Sequence, residues 1–86
     1  MDSILSSITI AMLRMVEEQL SNDEFSSDQE LIDQFTTNGL TSAQAQQALT
    51  YRSSYLRHIY LDGFTPILKG EQALRFNPES RQFEPV

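Results

Sequence analysis

The stretch SDQELIDQFTTNGLTSAQAQQAL, residues 27–49, decides how this chain of 86 residues folds. It opens on Ser27-Asp28-Gln29-Glu30, a capping box. The Ser27 hydroxyl takes the amide of the third helical residue, and the Glu30 carboxylate reaches back to the Ser27 amide. Asp28 and Glu30 also sit where the positive end of a helix dipole favours acids. Leu31, Ile32 and Phe35 recur on one helical face. Asn38-Gly39 ends that helix, because glycine accepts the left-handed conformation that closes a last turn. Thr41-Ser42-Ala43-Gln44 repeats the capping box and opens another helix. The pattern predicts a helical hairpin over 28–61, with its second arm stopping at Asp62-Gly63.

Upstream of the hairpin, the periodicity predicts a first helix over 3–20. Its apolar residues, Ile4, Leu5, Ile8, Met12, Met15 and Val16 among them, fill an arc of roughly 200°. So wide an arc exceeds what one face of a small core needs. Either the helix is central in the domain, with Met12 and Met15 filling its core, or part of its surface packs against another chain. The second reading is favoured and implies self-association as a homodimer, with Met12 and Met15 as adaptable contact residues. Downstream, Phe64-Thr65-Pro66 turns the chain. Residues 73–76, 77–80 and 81–84 then read as strand, turn and strand, with Asn77-Pro78 suited to the turn. A four-residue loop places Leu74 across from Phe83; the alternative for 64–86 is an irregular tail. The expected fold is α+β and mainly helical. It has three helices, a helix-turn-helix-like hairpin and a C-terminal β-hairpin, winged-helix-like in outline, in a single domain over 1–86.

Composition narrows the chemistry. There is no Cys and one His, which excludes disulfide frameworks, thiolate zinc sites and thiol nucleophiles. The net charge of −6 opposes phosphate binding, which Lys and Arg must supply. That charge is unevenly spread: residues 1–43 hold eight acids against Arg14 alone, whereas residues 44–86 hold five cations against four acids. The acidic half also admits a nucleic-acid mimic, although a solvated surface explains it more simply. The apolar run 4–16 follows Asp2, contains Arg14 and leads into Glu17-Glu18 without a cleavage site, unlike a secretory signal. It is also too short to span a bilayer. These features describe a soluble, cytoplasmic protein without a membrane role.

No cluster calls for catalysis. Ser54, His58 and Asp62 follow one another at intervals of four and would line one face of the third helix. Residues at that spacing form surface pairs, and no oxyanion loop or nucleophile elbow accompanies them. Asp23, Glu24, Asp28 and Glu30 lack the spacing of a calcium loop, and the three glycines form no phosphate-binding pattern. No enzyme activity, metal or cofactor is expected.

The third helix carries the candidate contact residues. Arg52 projects from its apolar stripe, so its guanidinium must either reach the rim with its stem packed or pair with a carboxylate such as Asp28, Glu30 or Asp33. Beside it run Tyr51, Tyr55 and His58, amphipathic side chains of the kind enriched at binding hot spots.

Two local resemblances exist. Helix, turn, helix and hairpin in this order resemble a winged helix-turn-helix, which implies DNA contacts by Arg57 on the third helix and Arg75 and Arg81 on the wing. The pattern departs at Phe35, where that motif carries Ala or Gly. Gly39-Leu40-x4-Ala45-x2-Ala48-Leu49 resembles the signature of ubiquitin-associated domains over about twenty residues. It departs from that family at Asn38 and in the length of the following helix, so no ubiquitin-binding residue is assigned. The sequence thus favours a small acidic regulatory or adaptor protein acting on a protein partner. A winged-helix DNA-binding regulator is the alternative, disfavoured by charge.

Overall fold

The structure, a computed structural model, describes residues 1–85. Five α-helices precede an antiparallel hairpin among these residues, so the chain is α+β and mainly helical, with more helices than the three expected. They are α1 (Ile10–Asn22), α2 (Asp28–Thr37), α3 (Ser42–Leu49), α4 (Arg52–Arg57) and α5 (Pro66–Lys69), followed by a 3₁₀ turn. The strands are β1 (Leu74–Asn77) and β2 (Gln82–Pro85).

The first helix begins at Ile10 rather than Ser3, and Asp2 is the reason. Its Oδ1 accepts the amides of Ile4 and Leu5 at 2.9 and 3.1 Å. Its Oδ2 accepts Gln47 Nε2 at 2.8 Å and the Tyr51 hydroxyl. Such side-chain bonds offer the backbone an alternative to the helix. The Asp2 amide donates to the Ile67 carbonyl at 2.8 Å, fastening the strap to α5. Leu5 therefore drops fully into the core, and the Thr9 hydroxyl caps α1 by accepting the Met12 amide.

The α2–α3 corner forms as its sequence dictates. Both capping boxes close, Ser27 with Glu30 and Thr41 with Gln44. Gly39 turns the corner at φ +112°, and Met12 of α1 packs over it, with its Cε 3.1 Å from where a Cβ would stand. Phe35, Leu31, Leu20, Val16 and Ile67 are fully buried, and Ala45 and Ala48 let α3 lie close against them.

The predicted long third helix breaks twice. At the first break the amides of Thr50 and Tyr51 bond three residues back, to Gln47 and Ala48, and the Thr50 hydroxyl donates to the Gln47 carbonyl at 2.6 Å. The kink lets Tyr51 reach Asp2 while Arg52 turns towards α2. At the second break His58 is extended, at φ −129° and ψ 149°. Ile59-Tyr60-Leu61 is a β-forming run, and it pairs with β1 through Tyr60 opposite Arg75. Phe76 donates to the Ile59 carbonyl at 2.7 Å and Leu61 to the Leu74 carbonyl at 2.9 Å. The two-stranded C-terminal sheet is thus flanked by residues 59–61, which join β1 through a single bridge.

The hairpin register differs by two residues from the expected one. Phe83 faces Phe76, not Leu74, and Leu74 faces Pro85. The turn absorbs Arg81, at φ +57°, whose amide donates to the Asn77 carbonyl at 2.7 Å. A shift of two preserves which side chains share a face.

Two substitutions check the strap. Leu5→Ala should lower stability by about 2–4 kcal/mol in urea unfolding, as a core truncation does. Ile10→Ala, at a position 73% exposed, should change it by less than about 0.5 kcal/mol. Equal effects would mean that the strap is not docked.

Candidate protein-contact site

Arg52 organises the connector between α1 and α2. Its side chain is 14% exposed, with Nη1 2.7 Å from Asp28 Oδ1. Nη2 donates to the main-chain carbonyls of Asp23 and Ser26 at 3.1 and 2.6 Å. Asp28 is 73% exposed, so this ion pair by itself contributes little. The bonds to the loop carbonyls outweigh it, because they are charge-assisted and shielded from water. Nε is buried without a partner among the described residues, a cost carried by this position.

Asp23 binds the same loop from within. Its Oδ1 accepts the amides of Phe25 and Ser26 at 3.0 and 2.8 Å. Its Oδ2 accepts the Ser26 hydroxyl at 2.6 Å and Gln19 Nε2 at 2.8 Å. The Ser26 hydroxyl and amide, then the Phe25 amide and Gln19, hold this carboxyl far below the usual carboxylate range. A depressed folded-state pKa adds stability above the ordinary value of 3.8, and that stability is lost only as the pH falls through the lower folded value. The latch is therefore closed throughout neutral and mildly acidic pH.

At the tip of this doubly fastened loop, Phe25 is 95% exposed. Asp23, Glu24, Asp28 and Glu30 surround it in sequence. The sequence carries one signal for Phe25: it is the only apolar residue between Leu20 and Leu31. Nothing in helical periodicity places it in a core.

The contact residues expected from sequence are placed differently. Tyr51 is half-buried with its hydroxyl on Asp2, and Tyr55 is buried with its hydroxyl donating to Glu17 at 2.5 Å. Burial first, then the facing carboxylate, pushes both phenols above the ordinary value of 10. Met12 and Met15 are half-buried against the core. His58 stands edge-on to Tyr60, and Tyr60 edge-on to Tyr55, at centroid distances of 6.0 and 5.6 Å. These rings line one side of an open groove of about 810 Å³ with Glu17, Arg57 and Thr65. Because the chain leaves the helix at His58, Ser54, His58 and Asp62 do not share one helical face. No ion pair joins His58 to Asp62 among the described residues. Nor do three or more His, Cys, Asp or Glu there gather as metal ligands. Arg75 lies opposite Glu84, and Arg81 sits in the hairpin turn.

A second surface lies on the C-terminal sheet. Opposed residues in antiparallel strands share a face. Ile59 and Leu61, Leu74 and Phe76, and Phe83 and Pro85 therefore form one side. The Phe76 and Phe83 rings meet edge-to-face at 5.5 Å. Tyr60 is on the opposite side and packs on the core, whereas none of the six belongs to the core or packs against it. On this side Ile59, Phe83 and Pro85 are exposed, Ile59 at 70%, and Leu61, Leu74 and Phe76 are half-buried. No helix among the described residues is long and apolar enough to cross a membrane. Comparisons with protein-family models, with curated proteins and with solved structures returned no match.

Two outcomes follow for the latch and the phenols. Arg52→Met should cost about 1–3 kcal/mol in urea unfolding and speed amide exchange at Phe25 and Ser26. Unchanged exchange would show that Arg52 does not hold the loop. In an alkaline titration at 295 nm, Tyr51 and Tyr55 should ionise only above pH 10. A raised folded pKa gives stability that is present below 10 and lost as the pH rises, so their ionisation should coincide with unfolding.

Proposed function

We propose that this chain is a small acidic adaptor or regulatory protein that works by protein–protein contact, with Phe25 as its anchor. One observation carries the proposal: a loop latched by Arg52 and Asp23 holds a fully exposed aromatic side chain in place. An Arg with its Nε left unpartnered is a costly way to fix a loop that has nothing to present. Aromatic anchors that enter a partner's pocket dominate binding energy, and an anchor fixed beforehand avoids the ordering cost of association.

The setting selects the partner's chemistry. Acids on both sides of Phe25 repel phosphate backbones and anionic lipid surfaces alike. They favour a protein with an apolar pocket rimmed by Lys or Arg. The nucleic-acid reading, through Arg57, Arg75 and Arg81 on a winged-helix outline, has less support. Arg75 faces Glu84 across the hairpin, and α3 spans only eight residues before the chain kinks.

Replacing Phe25 by a photo-crosslinking phenylalanine analogue in the native host tests this reading. A discrete adduct to another protein is expected from position 25, and none from the same analogue at exposed Gln46 on α3. No adduct specific to position 25 would contradict it.

A further inference from the structure

We infer that residues 59–61 take up an extended segment of a protein partner as an added antiparallel strand, and that this segment carries a Lys or Arg between two apolar residues. The main chain supplies the first observation. The Ile59 carbonyl accepts the Phe76 amide and the Leu61 amide donates to Leu74, so both groups point at β1. No peptide bond is cis, and across a trans peptide plane C=O and N–H point in opposite directions. The Tyr60 N–H and C=O are therefore both turned away from β1. Neither bonds to any of the described residues. A donor and an acceptor side by side on an open edge are matched by one residue of another extended chain, which exchanges both bonds with Tyr60. The other edge of the sheet ends on Pro85 of β2, which has no N–H to offer.

The open edge borders a groove whose walls select the incoming side chains. Ile59 and Tyr60 line it together with Glu17 and Glu18 of α1, and its volume of about 810 Å³ is that of a ligand site. A residue paired with Tyr60 shares its face. That face is turned to α1: the Tyr60 ring stands edge-on to Tyr55 at 5.6 Å, and the Tyr55 hydroxyl donates to Glu17. Glu18, one residue on, is exposed and in no ion pair among the described residues. Arg14 and Arg57 also line the groove, but Glu17, Glu18 and Asp62 outnumber them, and the whole chain carries −6. A cation is therefore what the position opposite Tyr60 selects.

The residues before and after that cation fall on the opposite side of the added strand, beside Leu61 and Ile59. Ile59 is 70% exposed there, and an apolar neighbour would cover it. In strand addition of this kind the main-chain bonds give affinity and alternate side chains give specificity. Phe25 does not line the groove, so this contact does not rest on the anchor assigned above.

Titrating a capped synthetic peptide, Thr-Val-Lys-Val-Thr, into the ¹⁵N-labelled chain at low salt tests the inference. Binding should saturate below ~10 mM. The Tyr60 amide, unbonded in the free chain, should exchange at least ~10-fold more slowly at saturation. The same peptide N-methylated at its lysine cannot donate to the Tyr60 carbonyl and should bind about 5-fold more weakly. A glutamate in place of that lysine should weaken binding at least as much, and Glu18→Lys about 3-fold. Phe25→Ser should bind the peptide like the parent. No saturation by ~10 mM, equal binding of the N-methylated or the glutamate peptide, or an unchanged Tyr60 exchange rate at saturation would each overturn the inference. Each of these results leaves the crosslink from position 25 as a separate question.

Discussion

The guanidinium of Arg52 is the interaction on which the layout depends. It sits where α4 crosses the connector between α1 and α2, and it bonds to main-chain carbonyls as well as to a carboxylate. Carbonyl bonds fix a loop's path, whereas a carboxylate alone would fix only a side chain. Two consequences follow from that placement: the connector is fastened to α4, and Phe25 is held out of the core. The orphaned Nε is the cost of packing an Arg at this crossing.

A second constraint works at the chain's start. Asp2 gathers two amides of its own strap together with Gln47 and Tyr51, and so ties the N-terminal residues to α3 and the kink after it. The strap delivers Leu5 to the core from outside any helix. Tyr51 and Arg52 are adjacent in sequence, and they reach different segments: Tyr51 the N-terminal Asp2, Arg52 the connector between α1 and α2.

Local signals in the sequence were legible where the physics was local. The capping boxes at Ser27 and Thr41 and the stop at Gly39 concern groups three or four residues apart, and all three form. The strand–turn–strand at the C-terminus was legible from Asn77-Pro78 and the flanking apolar residues. Its register was not, because Arg81 entered the turn in a conformation that its side chain does not advertise. Helix lengths were misjudged wherever a distant partner intervened: Asp2 against the first helix, and β1 against the third, whose end became a strand beside Arg75. The candidate contact residues followed the same rule. Tyr51, Tyr55, Met12 and Met15 read as a surface on a helical wheel, but pairing and packing across the fold turned them inwards. Phe25 belongs to no periodic pattern, and Ile59 continues the apolar stripe of the expected third helix but is exposed because the helix ends at Arg57.

Rigidity and charge segregation together define what this small fold can present: an acidic body with one fixed aromatic tip, and a neutral apolar sheet at the other end of the sequence. The claim most exposed to test is that the tip is fixed. Backbone ¹⁵N relaxation of the Phe25 amide measures it directly. An order parameter of about 0.85, that of rigid backbone, is expected despite the residue's near-complete exposure. A value below about 0.6 would mean a mobile loop, and would contradict the latch and the anchor built on it.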